Sequence, residues 1–173
     1  LEKLKEVVQA FNVPTIELPG YEADDIMATV CKGAIQEKVE VFLVTSDKDM
    51  MQLVKRGIKI LKPGISGKEE EIIDEKGVEA KWGVRPDQII DLLALMGDSS
   101  DNIPGVPGIG PKTAGSLLKK FNSIDHLLGH LSQISPESIR KKIEGNLEMI
   151  ELSKKLATLH SDVPLLTDFR EWT

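Results

Sequence analysis

Two glycines one residue apart, followed at once by a proline and an amphipathic segment, constrain this chain more than any other stretch. Gly108 and Gly110 flank Ile109, and Pro111 to Phe121 carries Leu117, Leu118 and Phe121 at helical spacing. Glycine admits positive φ and close backbone approach, and proline suits the first position of a helix. The pattern predicts a tight turn that opens a helix. The first amides of such a helix are free, and the helix dipole favours an anion beside them. Lys112, Lys119 and Lys120 lie on the same segment, and no acid falls between Ile103 and Asn122, so the surface is locally basic.

Two other glycine loops are excluded. A P-loop requires Lys directly after its second glycine, and here Pro111 separates Gly110 from Lys112. A dinucleotide loop requires a strand just before and a third glycine where Thr113 stands. What remains, apolar-Gly-apolar-Gly with the small Ala114 in the next turn, is the pattern of a helix-hairpin-helix. Such hairpins grip phosphates without reading bases. A plain turn and helix start would use the same glycines.

The rest of the chain alternates helical and strand patterns and then turns helical. A stripe of Leu1, Leu4, Val7, Val8 and Phe11 predicts a first helix, Pro14 to Leu18 a short strand, and Tyr21 to Gln36 a second helix. Val39 to Thr45 reads as a strand buried on both faces. Met50 to Val54 reads as a short helix, Gly57 to Leu61 as a strand, Pro63 to Gly67 as a loop, and the charged Lys68 to Asp74, with Ile72 and Ile73, as a short edge strand. Asp74 is placed to cap a helix to Trp82, and Pro86 to Met96 reads as a further helix. After the hairpin, helices are expected over Ile124 to Leu131 behind a Ser123 cap, from Ser135-Pro136 to Ile143, and over Asn146 to Leu159. Lys141, Lys142, Lys154 and Lys155 read as solvated faces. The expected division is an α/β part over residues 1–85 and a helical part over 86–173.

Acids recur in three groups: Glu22, Asp24 and Asp25 at a helix start, Asp47 and Asp49 at the carboxyl end of a strand, and Asp98 and Asp101 after a helix. One or two acids at a helix start only complement its dipole, but adjacent like charges repel, and three are harder to explain that way. In open α/β sheets the carboxyl edge of the strands is where sites form. The spacing excludes an EF-hand loop, and no Cys/His set has zinc spacing. Oxygen-only ligands select hard cations, Mg²⁺ or Mn²⁺ above all. Two such ions about 4 Å apart promote in-line attack on a phosphodiester.

Composition sets outer limits. The net charge of −6 counts against non-specific nucleic-acid binding unless the acids gather around cations. The single cysteine, Cys31, excludes an internal disulfide and fits a reducing cytoplasm. No apolar run approaches the length of a membrane span.

Gly-Tyr-Glu-Ala-Asp-Asp at 20–25, Thr-Ser-Asp-Lys-Asp at 45–49 and Gly-Asp-Ser-Ser-Asp-Asn-Ile-Pro-Gly-Val-Pro-Gly-Ile-Gly-Pro-Lys-Thr-Ala at 97–114 resemble the 5′ nuclease, flap endonuclease-like family. Within it the chain looks most like the 5′→3′ exonuclease domain of bacterial DNA polymerase I. The resemblance implies a resolvase/PIN-like, mostly parallel α/β sheet with flanking helices, followed by a helical helix-hairpin-helix subdomain. It implies a two-metal hydrolase acting on 5′ flaps, nicks and RNA primers in replication and repair, in the cytoplasm beside the nucleoid and beside other parts of a larger polymerase or nuclease chain. By motif position Glu22, Asp24 and Asp25 serve the first metal region, Asp47 lies between the ions, and Asp49, Asp98 and Asp101 serve the second. Gly108, Ile109, Gly110, Lys112, Thr113, Lys119 and Lys120 hold DNA, with K⁺ on hairpin carbonyls. Family members begin with an acid-bearing strand, a second acid and a basic arch, none of which is found here. The expectation is therefore a fragment of weak or no activity by itself. The rival expectations are a non-catalytic module for branched or duplex DNA and, further off, a metal-dependent ribonuclease on a related core.

Overall fold

Apolar periodicity and cap residues set the element order in the computed structural model, which describes residues 2–64 and 69–165. These fall into two units, one of Leu1–Val39 with Leu159–Thr173 and the other of Glu40–Thr158.

The first unit contains α1 (Glu2–Ala10) and α2 (Ala23–Gln36). Leu1, the first residue of the expected stripe, lies outside the described residues; on α1 Leu4 and Val7 are exposed and Val8 half-buried, and Phe11, just past the helix, is exposed. Helix α2 buries Ile26, Ala28, Cys31 and Ala34. The segment after Leu159 is tied to α2 by the amides of His160 and Val163, which donate to Asp25 Oδ1 at 2.8 Å and Thr29 Oγ1 at 3.1 Å. The strand expected over Pro14 to Leu18 is absent. Pro14 has no amide to donate, and no strand of the described residues pairs with this stretch.

The second unit opens with a three-stranded sheet among the described residues, ordered β1 (Val41–Val44), β2 (Ile58–Lys62), β3 (Glu71–Ile73). β1 and β2 are parallel and β2 and β3 antiparallel, so the sheet is mixed where a mostly parallel one was expected. The register places Leu43, Ile58, Ile60 and Ile73 on one face, all buried. The alternate face leaves Phe42, Val44 and Ile72 exposed, so β1 is buried on one side only. An apolar run reads the same whether one face is covered or two. Residues 65–68, most of the expected loop and the first residue of the expected edge strand, lie outside the described residues.

Asp74 caps α3 (Glu75–Trp82) by accepting from the Gly77 amide at 2.9 Å, and Gly83 ends that helix in the left-handed region. The expected helix from Pro86 to Met96 is a 3₁₀ turn, Pro86–Gln88, running into α4 (Ile89–Met96). Met50 to Val54 likewise lies in a 3₁₀ turn, Asp49–Leu53. Beyond α5 (Pro111–Phe121), Ser123 caps α6 (Ile124–Leu128). α6 stops short of the expected Leu131, at Gly129, and a 3₁₀ turn, Leu131–Gln133, follows. α7 (Glu137–Glu144) and α8 (Leu147–Ala157) complete the unit.

Helix α4 is its axis. Leu92, Leu93, Ala94 and Leu95 are at most 1% exposed, and α4 packs against both α8 and α5. Burying each of these three leucines contributes about 2 kcal/mol. Asp91 is buried on the same helix but fully used: it accepts from the Ile124 amide at 2.9 Å and pairs with Lys154 at 3.5 Å. Lys154 also holds Asp125 at 3.0 Å, so it is a clamp between α4, α6 and α8 and not a solvated face.

Candidate functional site

Strand β1 ends at Val44, and the chain turns at once through Thr45, whose Oγ1 accepts from the Asp47 amide at 3.0 Å. Asp47 Oδ1 then accepts from the Asp49 amide at 2.9 Å, a local turn that both residue types favour. Asp49 thereby begins the 3₁₀ turn and is carried inward, to 8% exposure.

The other acids arrive from α4. Gly97 ends that helix with φ +73, and Asp98 and Ile103 exchange backbone hydrogen bonds of 2.8 Å that close a small loop. Asp98 is 6% exposed, its Oδ1 accepting from the Ser100 amide at 2.9 Å, while Asp101 is exposed. Asp47, Asp49 and Asp101 offer oxygens that all lie within 4.8 Å of one another. Asp98 stands beside this set, with Lys48 against its Oδ2.

This arrangement fits a hard divalent cation. Asp49 Oδ1 is shielded from solvent and has no hydrogen-bond partner, and a buried carboxylate is tolerated only when paired or neutralised. Burial, then the charges of Asp47, Asp101 and Asp98, push the Asp49 carboxyl up to about 7, partly offset by Lys48. Burial and the neighbours Asp98 and Asp47 also raise Asp101. Burial works to raise Asp98 too, but Lys48, the Ser100 amide and Asp101 outweigh it and hold it below the usual carboxylate range. An all-oxygen set strained by its own repulsion gains most from a small cation that demands oxygen ligands.

Glu22, Asp24 and Asp25 belong to the first unit, at the start of α2. Glu22 is exposed and Asp24 half-buried. Asp25 is used locally: Oδ2 accepts from the Glu22 amide at 3.4 Å and Oδ1 from His160.

The hairpin is tied to the acidic loop by a backbone crossing. Gly105, at φ +61, lies so close to Gly97 that a Cβ on it would sit 2.2 Å from the Gly97 nitrogen. The Gly105 amide donates to the buried Ser153 hydroxyl of α8 at 3.0 Å, and the Val106 amide to Leu95 at 2.9 Å. Ile109 is buried beneath the turn. Gly110 caps α5, and a Cβ on it would meet nothing within 4 Å. Lys112 and Thr113 follow Pro111 in the first turn, where amides have no helical partner. A cleft lined by Lys48, Gly97, Asp98, Ile103 and Pro111 runs from the acids to this helix start. Lys119 and Lys120 sit at the far end of α5, about 10 Å along from Lys112 by helical rise. Lys120 is engaged there by the Gln133 carbonyl at 2.5 Å.

Two residues of this region escaped the sequence reading. Lys142 of α7, expected on a solvated face, instead donates to the Gly108 carbonyl at 3.1 Å, a contact spanning 34 residues for which no local pattern exists. Lys48 did carry a signal, since a cation between two acids on a tight turn is held near both.

Two family profiles match the chain: the N-terminal resolvase-like domain of 5′-3′ exonuclease over residues 1–83, and the C-terminal SAM fold of 5′-3′ exonuclease over residues 84–173. The chain is 43% identical over 169 residues to the thermostable DNA polymerase I of Thermus thermophilus, covering 98% of this chain and 20% of that protein. To DNA polymerase I of Bacillus subtilis it is 42% identical over 164 residues, covering 94% of this chain and 18% of that one. It thus spans about a fifth of the length of these relatives. Among solved structures, T5 5′-exonuclease with bound divalent zinc ions superposes with a TM-score of 0.79 at 24% identity, over 92% of this chain and 59% of that one. The catalytic core of Rad2 in complex with DNA substrate gives 0.62 at 20% identity, over 93% and 56%. At those identities the likeness is one of fold.

Proposed function

This chain belongs to the 5′-3′ exonuclease family, and from that premise we propose that it is the divalent-metal-dependent nuclease part of a DNA replication and repair enzyme, hydrolysing phosphodiesters at 5′ ends, flaps, nicks and RNA primers. The observation that carries the reading is the unpartnered, buried Asp49 Oδ1 among the converging oxygens of Asp47, Asp49 and Asp101. Mg²⁺ or Mn²⁺ held there would supply Lewis-acid stabilisation of the charge that develops on the phosphodiester. Asp47, Asp49 and Asp101 are its proposed ligands, Asp98 joins them, and Glu22, Asp24 and Asp25 are proposed for a further ion.

The chain's own part is to hold duplex beside those acids. The free amides of Lys112 and Thr113, with the Gly108–Gly110 turn and the Lys112 ammonium, are proposed to grip phosphate. Lys119 and Lys120 would extend that track, and K⁺ on hairpin carbonyls belongs to the same proposal. The division into a metal-site part over 1–85 and a duplex-holding part over 86–173 is supported by the junction of the two family profiles between 83 and 84. A cytoplasmic, nucleoid-associated location and association with the rest of a larger polymerase or nuclease chain complete the reading. Among the described residues no helix is long and apolar enough to cross a membrane.

The test is cleavage of 5′-flap DNA by this 173-residue chain in Mg²⁺ or Mn²⁺, beside its Asp98→Asn/Asp101→Asn variant and beside EDTA. Weak cleavage by the unaltered chain, lost in both controls, is the expected result. Flap DNA bound but cut under no condition would leave a non-catalytic DNA-binding module instead.

The hairpin has its own test. Gly110→Val should lower the melting temperature only slightly, because the added side chain enters open space and the backbone φ is an ordinary −97, leaving only the poorer helix cap that valine makes. Duplex binding at fixed salt, followed by fluorescence anisotropy, should weaken on the order of tenfold. Unchanged affinity would remove the hairpin from the DNA contact.

A further inference from the structure

We infer that Lys48 is a built-in counter-ion for Asp98, holding that carboxylate out of the acidic cluster until a divalent ion displaces it, so that Lys48 sets how tightly the cluster binds metal. The inference rests on the metal reading of the cluster and adds a residue that this reading does not use.

Four observations meet here. Asp98 is 6% exposed, so its charge needs partners; the Ser100 amide meets Oδ1 and the Lys48 ammonium meets Oδ2, with the Asp101 side chain also against it. Asp47, Asp49 and Asp101 converge on one another, and Asp98 touches Asp101 at the edge of that set without belonging to it. Lys48 stands between Asp47 and Asp49 on the turn that carries both, so its reach to Asp98 is fixed by the same backbone that aims two of the ligands. The cleft that leads from the acids to α5 is lined by Lys48 itself, so the ammonium has open space to move into.

Charge decides the sense of the effect. With Lys48 on Asp98 the pair is neutral, and three carboxylates face an entering ion. With Lys48 swung into the cleft, a fourth carboxylate becomes available and a positive charge has left. Each change favours a dication, and the exchange costs the Lys48–Asp98 attraction. A lysine ammonium is charged at neutral pH, and the Asp98 carboxylate stands directly against it. A side chain of similar length without charge would leave Asp98 open to the ion from the start.

The experiment is Mn²⁺ binding to the 173-residue chain without DNA, followed by the electron paramagnetic resonance of free Mn²⁺. Lys48→Met should bind Mn²⁺ about tenfold more tightly than the unaltered chain, and Lys48→Arg, which keeps the charge, should not tighten it. Equal or weaker binding by Lys48→Met overturns the inference. A second readout needs no variant: the Lys48 ¹⁵Nζ ammonium resonance, slowed in proton exchange by its pairing with Asp98, should lose that protection when Mg²⁺ saturates the cluster. Protection that survives Mg²⁺ also overturns it. Asp49→Asn separates the two levels of the argument. If Mn²⁺ binding is indifferent to that change, the metal reading of the cluster fails and takes this inference with it. If binding falls with Asp49→Asn yet ignores Lys48→Met, the metal site stands and Lys48 is a bystander.

Discussion

Asp49→Asn should have two opposite effects: it removes metal-dependent cleavage and stabilises the metal-free protein. Partners that only orient metal ligands are worth about 10–100-fold in affinity or activity, so loss of a buried ligand should cost more than a hundredfold in flap cleavage. The stability gain follows from the same burial. The Asp49 carboxyl titrates near 7 in the folded protein, against 3.8 for an ordinary Asp. Its folded-state pKa is raised, so its contribution to stability is fully present below the unfolded pKa and is lost as pH rises through about 7. Above that pH the folded protein carries a buried, repelled negative charge that Asn lacks. The variant should therefore melt higher than the unaltered chain at pH 8 in EDTA, by on the order of 2 kcal/mol, and the gap should close toward pH 5. Saturating Mg²⁺ should raise the melting temperature of the unaltered chain at pH 8 and leave Asp49→Asn unmoved. Melting curves at pH 5 and 8, with EDTA and with Mg²⁺, check all three. A variant that melts lower than the unaltered chain at pH 8 would show that Asp49 serves the fold first.

The other large effect lies at Gly105. Alanine there must adopt φ +61 and place its Cβ 2.2 Å from the Gly97 nitrogen and 2.6 Å from its Cα. Both opposing atoms are backbone, so relief requires the two strands of the crossing to part. That would break the Gly105–Ser153 and Val106–Leu95 hydrogen bonds and open the acidic loop. The expected cost is about 3–5 kcal/mol, a fall in melting temperature on the order of 10 °C for a chain of this length. Gly20→Ala is the matched control, since it also needs positive φ, +92, but its Cβ meets nothing within 4 Å. It should cost about 1 kcal/mol. Equal losses at the two sites would mean that backbone conformation, and not the close approach, carries the effect at Gly105.

What could be read from the sequence divides along physical lines. The bounds of α5, Pro111 to Phe121, were legible because a cap, a proline and an apolar face all specify the same helix. The Asp74 and Ser123 caps were legible for the same reason. So was the strand-end position of Asp47 and Asp49, because a β-rich run followed by acids leaves few alternatives. The mixed sheet was not, since strand direction depends on pairings that no local pattern encodes, and neither was the exposed face of Phe42 and Val44. At the site, convergence of Asp101 on Asp47 and Asp49 followed from motif order, but the pairing that sets Asp98 apart did not. Lys48 and Asp98 are fifty residues apart, and their meeting depends on how α4 lies against the turn after β1.

The Ser153 hydroxyl that receives the Gly105 amide lies 48 residues further along the chain, and Gln52 likewise reaches the Ala157 carbonyl across 105 residues at 2.9 Å. Both closures use α8. During synthesis the hairpin leaves the ribosome with its glycines in place but without the buried hydroxyl that holds its backbone. A chain cut short before α8 would therefore lack both closures, the Ser153 hydroxyl under the Gly105 amide and the Ala157 carbonyl that receives Gln52. The hairpin backbone is thus held by the last helix among the described residues, so the turn is only as well set as the docking of α8.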